Sequence, residues 1–174
     1  MYFMRIEDCI SNYINKNELR YGPALFRLGK EKDFEEVCLS QTDVELIHNE
    51  MVYRFGGVQG VEDEELLSRL CSYPYIKDNY GQEVYPSVFD KAAVFLSSLA
   101  TSNVFKSGNK RTGLETALVL LDLNGYESDL SPTEAYNLVL DVANGKIYDV
   151  GEIATMLANR VKIKETPTAD YVER

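Results

Sequence analysis

The sequence is poor in the residues that build metal sites and disulfide frameworks. It contains one histidine, three cysteines and no tryptophan in 174 residues. Cys9, Cys38 and Cys71 are widely spaced, and none of them belongs to a Cys-x-x-Cys pair. Because zinc sites and disulfide frameworks use several ligands at short, regular spacing, this composition argues against both. Isolated cysteines in odd number are typical of a reducing compartment, and we expect the chain to be cytoplasmic.

Long apolar runs and basic charge are also scarce. No apolar run approaches the roughly 18 to 20 residues that a membrane span requires. Residues 1–10 contain Arg5, Glu7 and Asp8, where a signal peptide needs an apolar core. The 18 Lys and Arg against 28 Asp and Glu give a net charge of -10, which is unfavourable for holding a nucleic-acid backbone. We therefore expect neither a membrane nor nucleic acid as the main partner.

The chain does contain apolar residues at helical spacing in nearly every segment. No sustained alternation of apolar and polar residues indicates a sheet. With 45% hydrophobic and 26% charged residues, the composition is that of a globular domain. We therefore predict an all-α fold. The main helices are expected over residues 43–55, 62–71, 87–100 and 111–124, from Ser131 to Asn144, and after Asp149.

Capping residues mark two of the predicted helix starts. Thr42 and Glu45 match a capping box, in which the side chain of each residue accepts a hydrogen bond from the backbone amide of the other. Ser131, Pro132 and Glu134 match an N-cap, a proline at the first helical position and a reciprocating glutamate. These signals predict where helices begin more closely than apolar spacing does.

The chain is predicted to have three parts. Residues 1–41 form an N-terminal helical extension, with a short helix followed by an irregular arm that contains glycine and proline. Residues 42–162 form the helical domain. Residues 163–174 lack apolar periodicity and are predicted to be a loose C-terminal tail.

A polar segment, residues 103–112, separates the two most hydrophobic predicted helices. Gly108 can adopt backbone angles that turn successive amides inward as an anion nest, and the following helix adds its positive end. Lys110 and Arg111 are mildly unfavourable at a helix N-terminus, by about 0.3–1 kcal/mol, unless an anion is bound there. The segment therefore predicts a phosphate site. From this spacing alone, a connecting turn with solvated Lys and Arg side chains remains an equal alternative.

The same segment resembles the signature of the Fic/Doc (death-on-curing) family, His-x-Phe-x-Asp/Asn-Ala/Gly-Asn-Lys-Arg-Thr. The matching residues are Phe105, Gly108, Asn109, Lys110, Arg111 and Thr112. Residues 54–60, 123–126 and 143–147 are similar to turns of the Doc branch. The resemblance runs from Thr42 to Val161. It implies an all-α Fic/Doc-type helical bundle with the phosphate-binding loop between two central helices.

The resemblance also implies an activity and its ligands. Family members transfer phosphate-containing groups from a nucleotide to a protein hydroxyl, and Doc members are toxins paired with an antitoxin. By resemblance the ligand is ATP or another nucleotide, and the partner is a protein target or an antitoxin. The residues that this implies for phosphate binding are Phe105, Ser107, Gly108, Asn109, Lys110, Arg111 and Thr112. Lys110, at a position where adenylylating members usually have glycine, favours phosphoryl transfer.

Two positions of the chain depart from the family signature. Asn103 lies where the family has its catalytic histidine, and an amide has no useful basicity near neutral pH. Losing a positioned base typically costs about 10² to 10⁴ in rate. Ser107 lies where the family has its magnesium ligand, and a neutral hydroxyl is a poor sole protein ligand for Mg²⁺. Of the catalytic positions, only Arg111 keeps the family residue.

No other residue is a convincing replacement base. His48 is the only histidine, and it lies on the predicted helix 43–55, far from the motif in sequence. We interpret it as a structural residue held by a backbone or side-chain partner. Asp90 and Glu115 lie on the helices that flank the loop, where carboxylates are ordinarily solvated.

A predicted loop over residues 72–86 contains four tyrosines, Tyr73, Tyr75, Tyr80 and Tyr85. By resemblance it lies where family members position a target segment. The favoured interpretation is that these tyrosines seal the loop over the helical core.

Three functional hypotheses follow. The first is a divergent Doc-like transferase that uses unfamiliar groups as base and metal ligand. The second is a relative without activity that keeps the pocket to bind a nucleotide or a regulatory partner. The third is an interaction scaffold that keeps only the fold. The first predicts transfer to a protein, and the second predicts ligand or partner binding without turnover. The third predicts contact with a partner through the acidic surface or the tyrosine-rich loop.

Overall fold

A computed structural model describes residues 36–164. This part contains six α-helices, one 3₁₀ turn and one two-stranded sheet. The elements are α1 Gln41–Phe55, α2 Glu64–Ser72, the 3₁₀ turn Tyr73–Tyr75, α3 Val88–Thr101, α4 Asn109–Leu123, β1 Tyr126–Ser128, α5 Pro132–Ala143, α6 Val150–Ala158 and β2 Val161–Ile163. The predicted helical class is confirmed. Most of the predicted extension 1–41 and the tail beyond residue 164 lie outside the described residues.

The capping box of α1 differs from the predicted pair Thr42 and Glu45. The Ser40 hydroxyl accepts a hydrogen bond from the Asp43 amide, and the Asp43 carboxylate accepts one from the Ser40 amide at 2.8 Å. The prediction of Thr42 and Glu45 is wrong. The pair Ser40 and Asp43 has the same spacing two positions earlier, so the local pattern does not distinguish the two pairs. The first helical hydrogen bond, from the Val44 amide to the Ser40 carbonyl at 3.1 Å, selects the earlier start.

One other capping prediction holds, and a further cap was not predicted. The Ser131 and Glu134 capping box is confirmed, with Pro132 at the first position of α5. At α3 the Ser87 hydroxyl and the Asp90 carboxylate form a further reciprocal cap. Asp90 is thus a capping residue in the first turn of α3. The loop lies at the other end of this 14-residue helix, about 20 Å along its axis.

Two adjacent central helices, α3 and α4, form the middle of the core. Apolar side chains on more than one side of each helix are buried, because apolar residues are spread around most of each helix. The two helices approach closely at Gly113, where an added Cβ would lie 3.0 Å from the Ala100 nitrogen and the Leu96 oxygen. Helices α1, α5 and α6 pack around this pair. The two central helices therefore fix both ends of the loop between them.

A small antiparallel sheet lies beyond α4. Strands β1 and β2 pair Tyr126 with Ile163 and Ser128 with Val161. The sequence did not predict these two strands, because three-residue strands are too short to show alternation. The predicted domain end at residue 162 falls inside β2, while the three-part division of the chain stays a prediction. No helix among residues 36–164 is long and apolar enough to cross a membrane.

Candidate functional site

The loop between α3 and α4 is closed by Asn109. The Phe105 amide donates to Asn109 Oδ1 at 2.9 Å, and Asn109 Nδ2 donates to the Phe105 carbonyl at 2.9 Å. Gly108 has a φ of 74° and is the N-cap of α4, as the anion-nest interpretation requires. This pair of bonds and one left-handed glycine turn the chain directly into the helix. Helix α4 thus begins two positions before the predicted start at Arg111.

The backbone amides from Ser107 to Arg111 form a continuous set of free donors. Within residues 36–164 none of them donates a hydrogen bond, and the Thr112 amide makes the first helical bond, to the Gly108 carbonyl at 2.9 Å. Unpaired amides at the positive end of a helix are a suitable site for an anion. The loop therefore has the backbone chemistry of a phosphate site.

Arg111 lies against the turn that follows α1. Its Nη2 donates to the Gly56 carbonyl at 3.1 Å, and its guanidinium carbon lies 5.5 Å from the centre of the Phe55 ring. The side chain is half-buried, whereas Lys110 is exposed. The guanidinium is thus held beside the free amides while most of its donors remain available for a ligand.

Ser107 is bound to the same turn. The Val58 amide donates to Ser107 Oγ at 2.8 Å, and Ser107 Oγ donates to the Val58 carbonyl at 3.1 Å. We call residues 56–58 the glycine turn. An added Cβ at Gly57 would clash with Ser107 Oγ, which would have to move, and the φ of 129° at Gly57 is itself unfavourable for other residues. The two side chains that the resemblance assigns to phosphate and metal therefore both contact the glycine turn.

Residues 60–63 run along the other side of the loop. The Glu62 amide donates to the Val104 carbonyl at 2.7 Å, and the Lys106 amide donates to the Gly60 carbonyl at 3.0 Å. Val61 and Phe105 form an isolated antiparallel bridge. The segment between α1 and α2 thus holds the loop along its length, which sequence reasoning did not predict.

The comparisons with known proteins agree with this geometry. A model of the Fic/DOC family matches residues 38–121, which include the whole loop. A protein of Mycolicibacterium smegmatis named Toxin Doc is 35% identical over 114 residues, covering 64% of this chain and 86% of the relative. The chain belongs to the Fic/DOC family. A protein of Escherichia phage P1 named Protein kinase doc is 28% identical over 123 residues, covering 68% of this chain and 91% of the relative.

His48 lies directly behind the Fic/DOC loop. Its ring stacks on Phe105 with centroids 3.9 Å apart and planes 6° apart, and Nδ1 lies 3.3 Å from Thr112 Oγ1. The side chain is buried, so it cannot reach a reacting group at the surface. The structural interpretation of His48 is consistent with these contacts. Its position could have been found from helical spacing, because Val44, His48 and Met51 share the buried face of α1.

Burial lowers the pKa of His48, and the nearby positive charge of Arg111 lowers it further, while Glu45 acts in the opposite direction. A neutral ring therefore stabilises the fold above pH 6.5, the ordinary pKa of histidine, and this contribution is lost as pH falls through the lowered value. Between about pH 7.5 and about pH 5.5, we expect the Tm to fall more in wild type than in His48→Gln. Parallel Tm curves in thermal unfolding would contradict a titrating, buried His48.

Asn103, Glu115 and Asp90 differ in their burial and in their contacts. Asn103 is exposed and makes no hydrogen bond with any residue in 36–164. Glu115 is half-buried on α4, and Asp90 is committed to its helix cap. Among the described residues, no group of three or more His, Cys, Asp or Glu side chains is arranged to hold a metal ion.

The tyrosine-rich loop seals the core in part. The Tyr75 hydroxyl accepts from the Leu39 amide at 2.8 Å, and its ring lies edge-on to Phe95 at 6.0 Å. The rings of Tyr73 and Tyr85 pack against each other, with centroids 5.7 Å apart. Tyr80 is 90% exposed and seals nothing within the described residues. The sealing interpretation thus holds for Tyr75, and Tyr80 remains available for a partner.

Proposed function

We propose that the chain is a Doc-like member of a toxin–antitoxin pair that binds nucleotide phosphates at its loop, with weak or lost transfer to a protein hydroxyl. The observation that carries this proposal is the run of free amides from Ser107 to Arg111. Support for the toxin–antitoxin setting comes from the two relatives, one named Toxin Doc and the other Protein kinase doc. The proposed place of action is the cytoplasm, and the proposed partner is an antitoxin or a protein target.

The phosphate argument rests on charge and donors. Gly108 is the left-handed N-cap of α4, the amides around it have no partner within residues 36–164, and α4 adds its positive end. Arg111 contributes a planar guanidinium that can bond two phosphate oxygens at once. Lys110 is exposed at the same helix end, where a cation is unfavourable until an anion neutralises it. These features together favour ATP or another nucleotide as the ligand.

The loss of transfer follows from Asn103. The amide cannot take a proton from an attacking hydroxyl, and the only histidine of the chain is buried behind Phe105. A missing base costs about 10² to 10⁴ in rate. The alternative function is an inactive Fic/Doc-fold interaction or regulatory module. That alternative is favoured by the replacement of both chemical positions, Asn103 and Ser107, while the phosphate-binding half of the signature is intact.

A labelling assay tests the proposal. The chain is incubated with host-cell extract and ATP labelled on either the α or the γ phosphorus, so that nucleotidyl and phosphoryl transfer are separated. Wild type is expected to label no protein above an extract-only control. The Asn103→His, Ser107→Asp double variant is expected to gain protein labelling or toxicity to the host cell. Strong labelling by wild type that Arg111→Ala abolishes would instead establish a divergent transferase.

A further inference from the structure

The position that the Fic/Doc signature gives to a magnesium ligand is used here for a different purpose. A serine hydroxyl has one donor and two acceptor sites. At Ser107 the donor is used on the Val58 carbonyl and one acceptor site on the Val58 amide. Mg²⁺ favours carboxylate oxygens, and a hydroxyl already bound on both sides offers it little. The residues present therefore do not fit a magnesium ion at this position.

The backbone of the glycine turn closes around this hydroxyl. Gly57 has a φ of 129° and approaches so closely that its hypothetical Cβ would lie 2.4 Å from Ser107 Oγ. The neighbouring carbonyl, that of Gly56, accepts the hydrogen bond from Arg111. A carboxylate at position 107 could accept from the Val58 amide but would face the Val58 carbonyl with no proton to donate. The turn and the serine are thus complementary to each other.

Positive charge at the loop comes from the chain itself. Lys106, Lys110 and Arg111 lie within one short segment, and Lys106 and Lys110 are exposed. The Lys106 side chain runs beside Gly60. Its ammonium nitrogen lies 3.6 Å from the position that a Cβ at Gly60 would occupy. Together with the free amides, these cations can compensate phosphate charge that a metal ion would otherwise neutralise.

We propose that Ser107 fastens the phosphate loop to the glycine turn, and that this loop takes a phosphate-bearing ligand without a divalent cation. The inference rests on the proposed function, because it assigns the ion requirement of the same site. In this proposal the side chain at position 107 bonds the glycine turn instead of a metal ion, so the glycine turn is part of the site. Arg111 uses one of its five donors on the Gly56 carbonyl, so the others can bind a phosphate while that bond is kept.

Calorimetric titration of ATP into the full chain tests the ion requirement, once in MgCl₂ and once in EDTA. The dissociation constants in the two buffers are expected to agree within about threefold. Binding that appears only with Mg²⁺, or that weakens more than about tenfold in EDTA, would overturn the inference and leave the proposed function standing. Absence of binding in both buffers would overturn the proposed function itself, so the two failures are distinguishable.

The serine clamp has its own test, independent of any ligand. Ser107→Ala removes both hydrogen bonds to Val58 and is expected to lower the Tm by about 3–8 °C. The matched control is Ser72→Ala, which removes one hydroxyl bond to the Ser68 carbonyl within an exposed helix turn. That control is expected to change the Tm by less than about 2 °C. Equal Tm values for Ser107→Ala and wild type would show that the clamp does not exist.

Two glycine variants check the close approach itself. Gly56 and Gly57 both have positive φ, but a Cβ at Gly56 meets nothing within 4 Å. Gly57→Ala is therefore expected to lower the Tm more than Gly56→Ala does. The excess should shrink when Gly57→Ala is combined with Ser107→Ala, because the clashing oxygen is gone. An excess that stays the same in the combined variant would contradict the contact between Gly57 and Ser107.

Discussion

Arg111→Ala is expected to weaken ATP binding by about 10²-fold, because a charged hydrogen bond contributes about 1.5–3 kcal/mol and tenfold in affinity corresponds to 1.4 kcal/mol. The guanidinium lies beside the free amides of the loop and is held there by Phe55 and the Gly56 carbonyl. The fold should survive, since Arg111 is half-buried and its contacts are at the surface of the turn. Calorimetric titration measures the affinity, and thermal unfolding checks the fold.

The control for charge alone is Arg69→Ala. Arg69 lies on α2 with an exposed side chain and a loose ion pair to Glu65 at 3.8 Å. Its removal changes the net charge by the same amount, so affinity should stay within about twofold of wild type. Equal losses in both variants would mean that ATP responds to overall charge. An unchanged affinity in Arg111→Ala would remove the arginine from the site.

Gly113→Val is expected to lower the free energy of unfolding by about 3 kcal/mol, because overpacking a tight interface typically costs about 1–3 kcal/mol and the neighbours here are backbone. An added Cβ would lie 3.0 Å from the Ala100 nitrogen and the Leu96 oxygen, and 3.2 Å from the Leu99 Cβ. The central helices α3 and α4 would have to separate to admit it. Urea unfolding measures the change.

The control for Gly113→Val is a valine placed on an exposed helix face, where it changes helix propensity but overpacks nothing. Ser68 lies on α2 and is exposed, so Ser68→Val should cost no more than about 0.5 kcal/mol. If Gly113→Val unfolds at the same urea concentration as Ser68→Val, the close approach of α3 and α4 is wrong. Loss of stability in Gly113→Val should also weaken ATP binding, since both ends of the loop are attached to this helix pair.

Helix caps and the loop glycine could be predicted from the sequence, because contacts within a few residues determine them. Ser131, Pro132 and Glu134 were identified because a capping box is complete within one turn. Gly108 was identified for the same reason, since one glycine before a helix determines the path of the loop. The prediction of Thr42 as the first cap failed because Ser40 and Asp43, two positions earlier, satisfy the same short pattern. Strands β1 and β2 were missed because each has only three residues.

The contacts that define the site could not be predicted from spacing. Ser107 and Val58 are 49 positions apart in sequence, and His48 and Thr112 are 64 positions apart. Such contacts depend on how α1 packs against α4, which no local pattern specifies. The resemblance found the glycine turn and the loop separately. Their contact, and the resulting use of Ser107, required the structure.

The measurement that tests the phosphate site most directly is an NMR titration of the ¹⁵N-labelled chain with ATP. Saturable shifts are predicted to be largest for the backbone amides from Ser107 to Arg111, with smaller shifts at Gly57 and Val58, because the glycine turn contacts Ser107 and Arg111. The same shifts should be lost in Arg111→Ala. Amides of the loop that stay unmoved at saturating ATP, or shifts confined to another surface, would contradict phosphate binding at this loop.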